Sequence, residues 1–178
     1  MQKRNALKLI AACAMFMGAT ASFGQETIKI ANIVELSGGG ATAGTNFKNG
    51  VELAVKEINA AGGILGKKIQ TITSDTQSNP GVAKGLTQKA VDDEVFAIFG
   101  PVFSGSIMVS MAESRKAEIP NFTGGEAASI TMQGNPYIFR TSFTQATAMP
   151  KVARYISDTA KLKTCLLYTS DAADERAS

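Results

Sequence analysis

The chain has 178 residues, 44% hydrophobic and 19% charged, with a formal net charge of +3, the proportions of an ordinary globular chain with room for one domain and part of another. It contains no histidine, and its two cysteines are Cys13 and Cys165, which excludes a His/Cys metal site in the body of the chain and any nucleophile served by a histidine base. The basic residues form no run longer than Lys67-Lys68, so the electrostatic footprint of a nucleic-acid binder is absent.

The opening segment reads as an address. Lys3, Arg4 and Lys8 precede the apolar stretch Leu9–Ala19, and Ala19-Thr20-Ala21 offers small residues where a signal peptidase reads them. Residues 1–21 are expected to form a cleavable signal peptide, with Ser22-Phe23-Gly24 as the second site of cleavage. The stretch is shorter than the roughly 20 apolar residues that span a bilayer. Ile10-Ala11-Ala12-Cys13 resembles a lipoprotein cleavage box. The apolar run from Lys8 to that cysteine is too short to precede one, which favours an exported protein over a lipid-anchored one.

Strands and helices then alternate. Thr27–Leu36 is expected to be a buried strand, with Ile28, Ile30, Ile33 and Val34 as its apolar run. Ser37–Gly44 reads as a glycine-rich loop. Phe47, Val51, Ala54, Val55 and Ile58 recur at helical spacing, and Gly62-Gly63 ends that helix. Ile69–Ser74 is a second strand leading into Asp75. Asn79 caps a helix with Pro80 in its first turn and Val82, Ala83, Leu86, Ala90 and Val91 inward. Val95–Phe99 is a third strand, Ser104–Lys116 a third helix with Ile107, Met108 and Met111 inward, and Ile119–Phe122 a fourth strand. Tyr137–Arg140 reads as a further short strand, followed by a helix over about 145–161. Such alternation with short connections predicts an α/β fold, a doubly wound parallel sheet covered on both faces.

In such sheets a ligand sits outside the carboxyl ends of the strands. Those ends are Ser37–Gly44, Asp75–Ser78, Gly100–Gly105 and Thr123–Ala127, all rich in glycine and hydroxyl side chains. The site this predicts is built from hydroxyls and backbone amides. Ser37 and Thr42 are candidates in the first loop, where closing a turn is the competing role. Asp75 is read as a turn cap, and Tyr137 and Arg140 as packing and pairing residues.

Two enzyme readings fail on spacing. Gly38, Gly40 and Gly44 follow a strand as a dinucleotide site requires, but with one residue too many before the last glycine, and Asp75 lies too far downstream. A serine hydrolase would need a G-x-S-x-G elbow and a base, and the chain has neither. No cofactor and no catalytic set are expected.

The wording of the loops carries a resemblance. Ile28-Lys-Ile-Ala31, Leu36-Ser37-Gly38, Glu57-Ile-Asn-Ala-Ala-Gly-Gly-Ile-Leu-Gly66, Ile98-Phe-Gly-Pro101 and Asn135-Pro-Tyr-Ile-Phe-Arg-Thr141 occur in order. Together they resemble the periplasmic leucine/isoleucine/valine-binding protein family, the receptors of branched-chain amino-acid ABC transporters. The resemblance implies the first lobe of a two-lobed type I periplasmic binding fold, truncated, that closes on a small solute. It implies periplasmic location, an amino acid or amide as solute, and the membrane permease of an ABC transporter as partner. A sensing domain of a receptor or regulator with the same fold is the alternative.

Residue by residue, the resemblance places the ligand's carboxylate at Ser104, Gly105 and Ser106, where the free N–H groups of a helix start favour an anion; a simple N-cap is the alternative role for Ser104. It places the ammonium group at the Gly125 carbonyl and at position 127, where Ala127 lacks the family's hydroxyl; Glu126 is the expected replacement, against a solvated loop acid. A tyrosine of the family's first loop aligns with Ala43, so a preference for leucine does not carry over. The expected organisation is a lobe over 25–141 and a crossover helix over 142–164 toward a second lobe. The tail 165–178 resembles a translated sequencing adapter and is expected to be non-native.

Overall fold

The computed structural model describes residues 26–164; the expected leader and the tail lie outside the described residues. Five parallel strands, β1 (Thr27–Val34), β2 (Lys68–Asp75), β3 (Ala97–Phe99), β4 (Asn121–Thr123) and β5 (Ile138–Arg140), form one sheet in the order β2-β1-β3-β4-β5. The order reverses direction after β2, so the first crossover helix lies on one face and the next two on the other. The sheet is doubly wound, as its alternation predicts.

On one face lie α2 (Pro80–Asp92) and α3 (Ser104–Lys116). Beneath α2, Ala31 and Ile33 of β1 and Ile98 of β3 pack with Ala90 and Val95. Ile107 and Met111 of α3 pack with Ile130 and Ile138 in a second cluster. Small residues permit this close approach: Ala83, Thr87 and Ala90 are buried on α2, and Ser106, Ser110 and Ser114 on α3. Asn79 caps α2 as expected, its side chain accepting from the amides of Gly81 at 2.8 Å and Val82 at 3.2 Å. Glu113, buried on α3, is gripped by Lys116 at 3.2 Å and by Lys84 of α2 at 3.5 Å, which ties the two helices together.

The opposite face is covered by α1 (Ala41–Ala60). Its predicted stripe does face the sheet, but only Gly44 of the whole helix is fully buried. Stripe and sheet enclose an apolar cavity of about 230 Å³ lined by Ile30, Val55, Phe99 and Phe122 among others. Phe99, Phe122 and Phe139 stack across three strands with ring centroids 5.2 and 5.1 Å apart.

Several boundaries differ from expectation. The predicted loop Ser37–Gly44 is a 3-10 turn over Gly38–Gly40 followed at once by α1. Glycine there serves close packing: a Cβ on Gly44 would stand 1.9 Å from the carbonyl oxygen of Glu35. β3 begins at Ala97, and Phe96 before it is turned out, 70% exposed, although its amide already bonds to the Lys29 carbonyl of β1 at 2.8 Å. β4 begins at Asn121 because Glu118 takes a left-handed φ of 57° and the Ile119 amide still bonds back to Ser114 of the preceding helix. The last helix, α5 (Gln145–Arg154), widens into a π turn over Tyr155–Thr159. A short helix, α4 (Ser129–Met132), joins β4 to β5. The Gly62-Gly63 stop stands as expected, with φ of 113° and 87°.

Candidate functional site

Parallel strands end together, and the segments that leave β1, β3 and β4 converge at one rim. There a cavity of about 260 Å³ is lined by Ala43, Val102, Phe103, Ser104, Gly124, Glu126 and Gln145. Four elements supply it: the first turn of α1, the turn into α3 with its first residue, the loop between β4 and α4, and the first residue of α5.

Glu35 organises the second of these. It follows β1 directly, is fully buried, and its carboxylate accepts the Val102 amide at 3.0 Å and the Phe103 amide at 3.1 Å. The turn that precedes α3 is thereby fixed against β1. Phe103, not Ser104, is the N-cap residue, and no side chain caps the helix. The Ile107 amide is the first to bond back, to the Phe103 carbonyl. Within the described residues the N–H groups of Ser104, Gly105 and Ser106 therefore have no acceptor. Three unspent donors at the positive end of a helix of 13 residues favour a negative group. Ser106 is 1% exposed with its hydroxyl also unpartnered.

The β4–α4 loop is held from outside. Ser104 Oγ accepts the Ala127 amide at 3.3 Å, which leaves its own proton available. Every carbonyl from Thr123 to Ala127 accepts at least one hydrogen bond from the segment that begins in β5. Thr141 Oγ1 donates to Thr123 at 2.9 Å and Ser142 Oγ to Gly124 at 2.9 Å. The Arg140 guanidinium donates to the carbonyls of Gly125 and Ala127, and the Gln145 amide to that of Glu126 at 3.1 Å. The Gly125 and Glu126 amides have no acceptor within the described residues, and the Glu126 carboxylate makes no hydrogen bond or ion pair there.

The first loop is closed by its own hydrogen bonds. Asp75, at the end of β2, accepts the Ser37 hydroxyl at 2.6 Å and the amides of Leu36, Ser37 and Gln77. The Ser37 hydroxyl, followed by the Gln77, Leu36 and Ser37 amides, outweighs partial burial and holds the Asp75 carboxyl below its ordinary value. A depressed carboxylate contributes stability that is present above its unfolded pKa and is lost as pH falls through its folded pKa. Asp75→Asn is therefore expected to flatten the acid limb of the stability curve below the ordinary carboxylate range, read by urea melts at stepped pH. An unchanged acid limb would show that this network does not act on stability.

The structure thus brings Ser104 and Glu126 to one cavity, with Gly105, Ser106 and Gly125 adjoining it in the same two segments. Ser37 turns its hydroxyl to Asp75, Thr42 is exposed beside Ala43, and Ala127 packs against the Ile107–Ile130 cluster. Phe103, Gln145 and Glu35 were not among the residues the sequence nominated. Glu35 has one legible signal, an acid directly after an apolar strand run. Among the described residues no group of His, Cys, Asp and Glu could hold a metal, and no helix is long and apolar enough to cross a membrane.

Residues 27–178 match the family described as periplasmic binding protein. The chain is 32% identical over 163 residues to the leucine-specific-binding protein of Salmonella typhimurium, covering 89% of this chain and 43% of that protein. It resembles the crystal structure of the branched-chain amino acid transporter substrate binding protein LivJ from Streptococcus pneumoniae in complex with isoleucine. That similarity has a TM-score of 0.74 and 34% identity over 76% of this chain and 39% of that one. A solute binding protein of an ABC transporter from Rhodopseudomonas palustris, in complex with 3,4-dihydroxy benzoic acid, aligns with a TM-score of 0.68 and 28% identity, covering 74% of this chain and 36% of that one. The chain spans less than half the length of each of these relatives.

Proposed function

The chain belongs to the periplasmic binding protein family, and from that premise we propose that it supplies the first α/β lobe of an extracytoplasmic solute-binding component of an ABC transporter. Its task is capture of an amino acid or related small polar solute, without turnover. The observation that carries this reading is the cavity where Ser104 and Glu126 meet beside three unspent helix amides.

The proposed order of contacts follows from that geometry. The solute's acid group docks at the Ser104, Gly105 and Ser106 amides, with the Ser104 hydroxyl as a further donor. Its apolar body lies against Phe103 and Val102, in the space that Ala43 leaves open. A second lobe then closes over it, excludes water, and presents the closed form to the membrane permease. The cavity carries one titratable side chain, Glu126, which is a binding group and no acid–base pair. Export to the periplasm by a cleavable leader belongs to the same proposal, as do the lobe over 25–141 and the crossover over 142–164.

Magnitudes decide how tightly this chain binds by itself. Micromolar affinity needs about −8.2 kcal/mol, and millimolar about −4.1 kcal/mol. Hydrogen bonds to charged groups give roughly 1.5–3 kcal/mol each, less in a site open to water. Two or three of them at the low end of that range, about 3–4.5 kcal/mol in a site open to water, support affinity of about 1 mM. Saturation-transfer NMR with a panel of amino acids, small organic acids and neutral sugars tests the reading. Transfer to amino acids and organic acids, weakened by Ser104→Ala, is expected. Transfer to none of them, or to the sugars alone, would overturn the assignment.

A further inference from the structure

We propose that the end of the lobe opposite the solute site is a docking surface for a second copy of this chain, with Leu65 of each copy seated in the apolar cavity under α1 of the other. The inference does not rest on the solute-binding reading. The surface lies at the amino ends of the strands, and the cavity of Ser104 and Glu126 at their carboxyl ends.

The projecting group is Leu65. It stands in a two-residue turn between α1 and β2, closed by the Ile64 amide on the Lys67 carbonyl at 2.8 Å and the Lys67 amide on the Ile64 carbonyl at 2.9 Å. Leu65 takes a left-handed φ of 52° and Gly66 one of 80°. Asparagine or glycine suits such a position, and a branched apolar side chain rarely adopts it. Within its own chain the leucine gains nothing in return, because it is 96% exposed.

The receiving cavity lies beside it. Its walls, about 230 Å³ of enclosed space, are aliphatic and phenylalanine side chains alone. Ile30, Ala97 and Phe99 form the deep end, while the exposed lining residues Phe96, Ile64 and Ile58 mark a mouth next to the turn that carries Leu65. An apolar cavity of about 150 Å³ stays dry and admits a benzene molecule, so this one has room for an isobutyl group. A projection and its receptor on one patch are what a two-fold interface requires, since each copy gives and receives the same contact.

The charges at the mouth agree with that partner. Lys29, Lys67, Glu26 and Glu94 border Phe96 and Ile28, two positive groups and two negative ones. A balanced set offers no field for an anionic membrane or a nucleic acid, and it does not repel a copy of itself. Lys67 is paired with Glu26. Lys29 donates to the Asp93 carbonyl at 3.3 Å, and neither it nor Glu94 is in an ion pair among the described residues. In the dimer, Lys29 of one copy and Glu94 of the other supply each other's missing charge.

Sedimentation velocity over a concentration series of the 178-residue chain tests this, with Leu65→Asn as the first variant. Asparagine accepts a left-handed φ more readily than leucine, so the fold is kept while the projecting group is lost. The expected result is a monomer–dimer equilibrium whose dissociation constant rises about tenfold or more in Leu65→Asn. Ala54→Leu, which narrows the cavity from α1 with a good helix former, is expected to weaken the dimer as well. Tyr155→Ser, on the exposed π turn, is expected to leave it unchanged. In a mixture of labelled and unlabelled chain, isotope-filtered NOEs should run from the Leu65 methyls to the Phe99 ring. A chain that is monomeric at every concentration, or a dimer that Leu65→Asn leaves intact, overturns the proposal. So does a dimer lost in Tyr155→Ser, or one whose intermolecular NOEs join other residues. A monomer that sediments with anionic phospholipid vesicles would assign Leu65 to a membrane surface and overturn it too.

Discussion

Glu35→Ala is expected to destabilise the chain by roughly 3 kcal/mol or more, a fall in Tm of about 6 °C or more at this chain length. The carboxylate is fully buried and receives two backbone amides, Val102 at 3.0 Å and Phe103 at 3.1 Å. Truncation removes both acceptors, leaving two partly buried donors unsatisfied at about 1–3 kcal/mol each, and opens a void behind β1. Glu35→Gln is the informative companion. Its amide group keeps one acceptor but points a donor at a donor, so an intermediate loss is expected. Thermal and urea melts of the three proteins check the order. Equal stability of all three would show that the turn before α3 does not depend on Glu35.

Gly44→Ala is expected to be comparably severe, against the direction that helix propensity alone would give. Inside a helix, alanine is favoured over glycine by about 1 kcal/mol. At this position, however, the new Cβ would stand 1.9 Å from the Glu35 carbonyl oxygen and 2.6 Å from its carbon. Backbone is on both sides of that clash, so α1 must lift from β1. Overpacking of that kind costs about 1–3 kcal/mol and occasionally more, and it outweighs the propensity gain. Because Ala43 lines the site cavity, the displaced helix also moves one wall of the site. Gly50→Ala in the same helix supplies the control: nothing lies within 4 Å of its Cβ, and a gain of up to about 1 kcal/mol is expected. A Gly44→Ala protein as stable as the Gly50→Ala protein would refute the contact.

Much of this was legible in the sequence where a rule is local. Asn79-Pro80 announced α2, Gly62-Gly63 ended α1, and the third helix runs over Ser104–Lys116 as its spacing predicts. The rim of the sheet could also be located, because the doubly wound topology brings the carboxyl ends of β1, β3 and β4 together whatever their side chains. Ser104 and Glu126 came instead from the family resemblance of the loops, and both line the cavity at that rim. Failures came where a distant contact decides. The run Gly38–Gly44 reads as a loop by composition, yet Gly44 is there to let a helix touch the Glu35 backbone. The expected carbonyl partner at Gly125 is spoken for by Arg140, a side-chain-to-backbone bond across 15 residues that no periodicity announces. Phe103 and Gln145 lay in segments the sequence marked, but which side chains of a loop reach a cavity depends on backbone angles set by Glu35 and by the β5–α5 turn.

The most direct test of the account is the amide NMR spectrum of the chain during titration with isoleucine into the millimolar range. The account predicts saturable shifts that are largest at the Ser104, Gly105 and Ser106 amides, with smaller ones at Gly125 and Glu126. Shifts that are largest around Phe99 and Phe122, in the apolar cavity under α1, or no saturable shift at all, would contradict it.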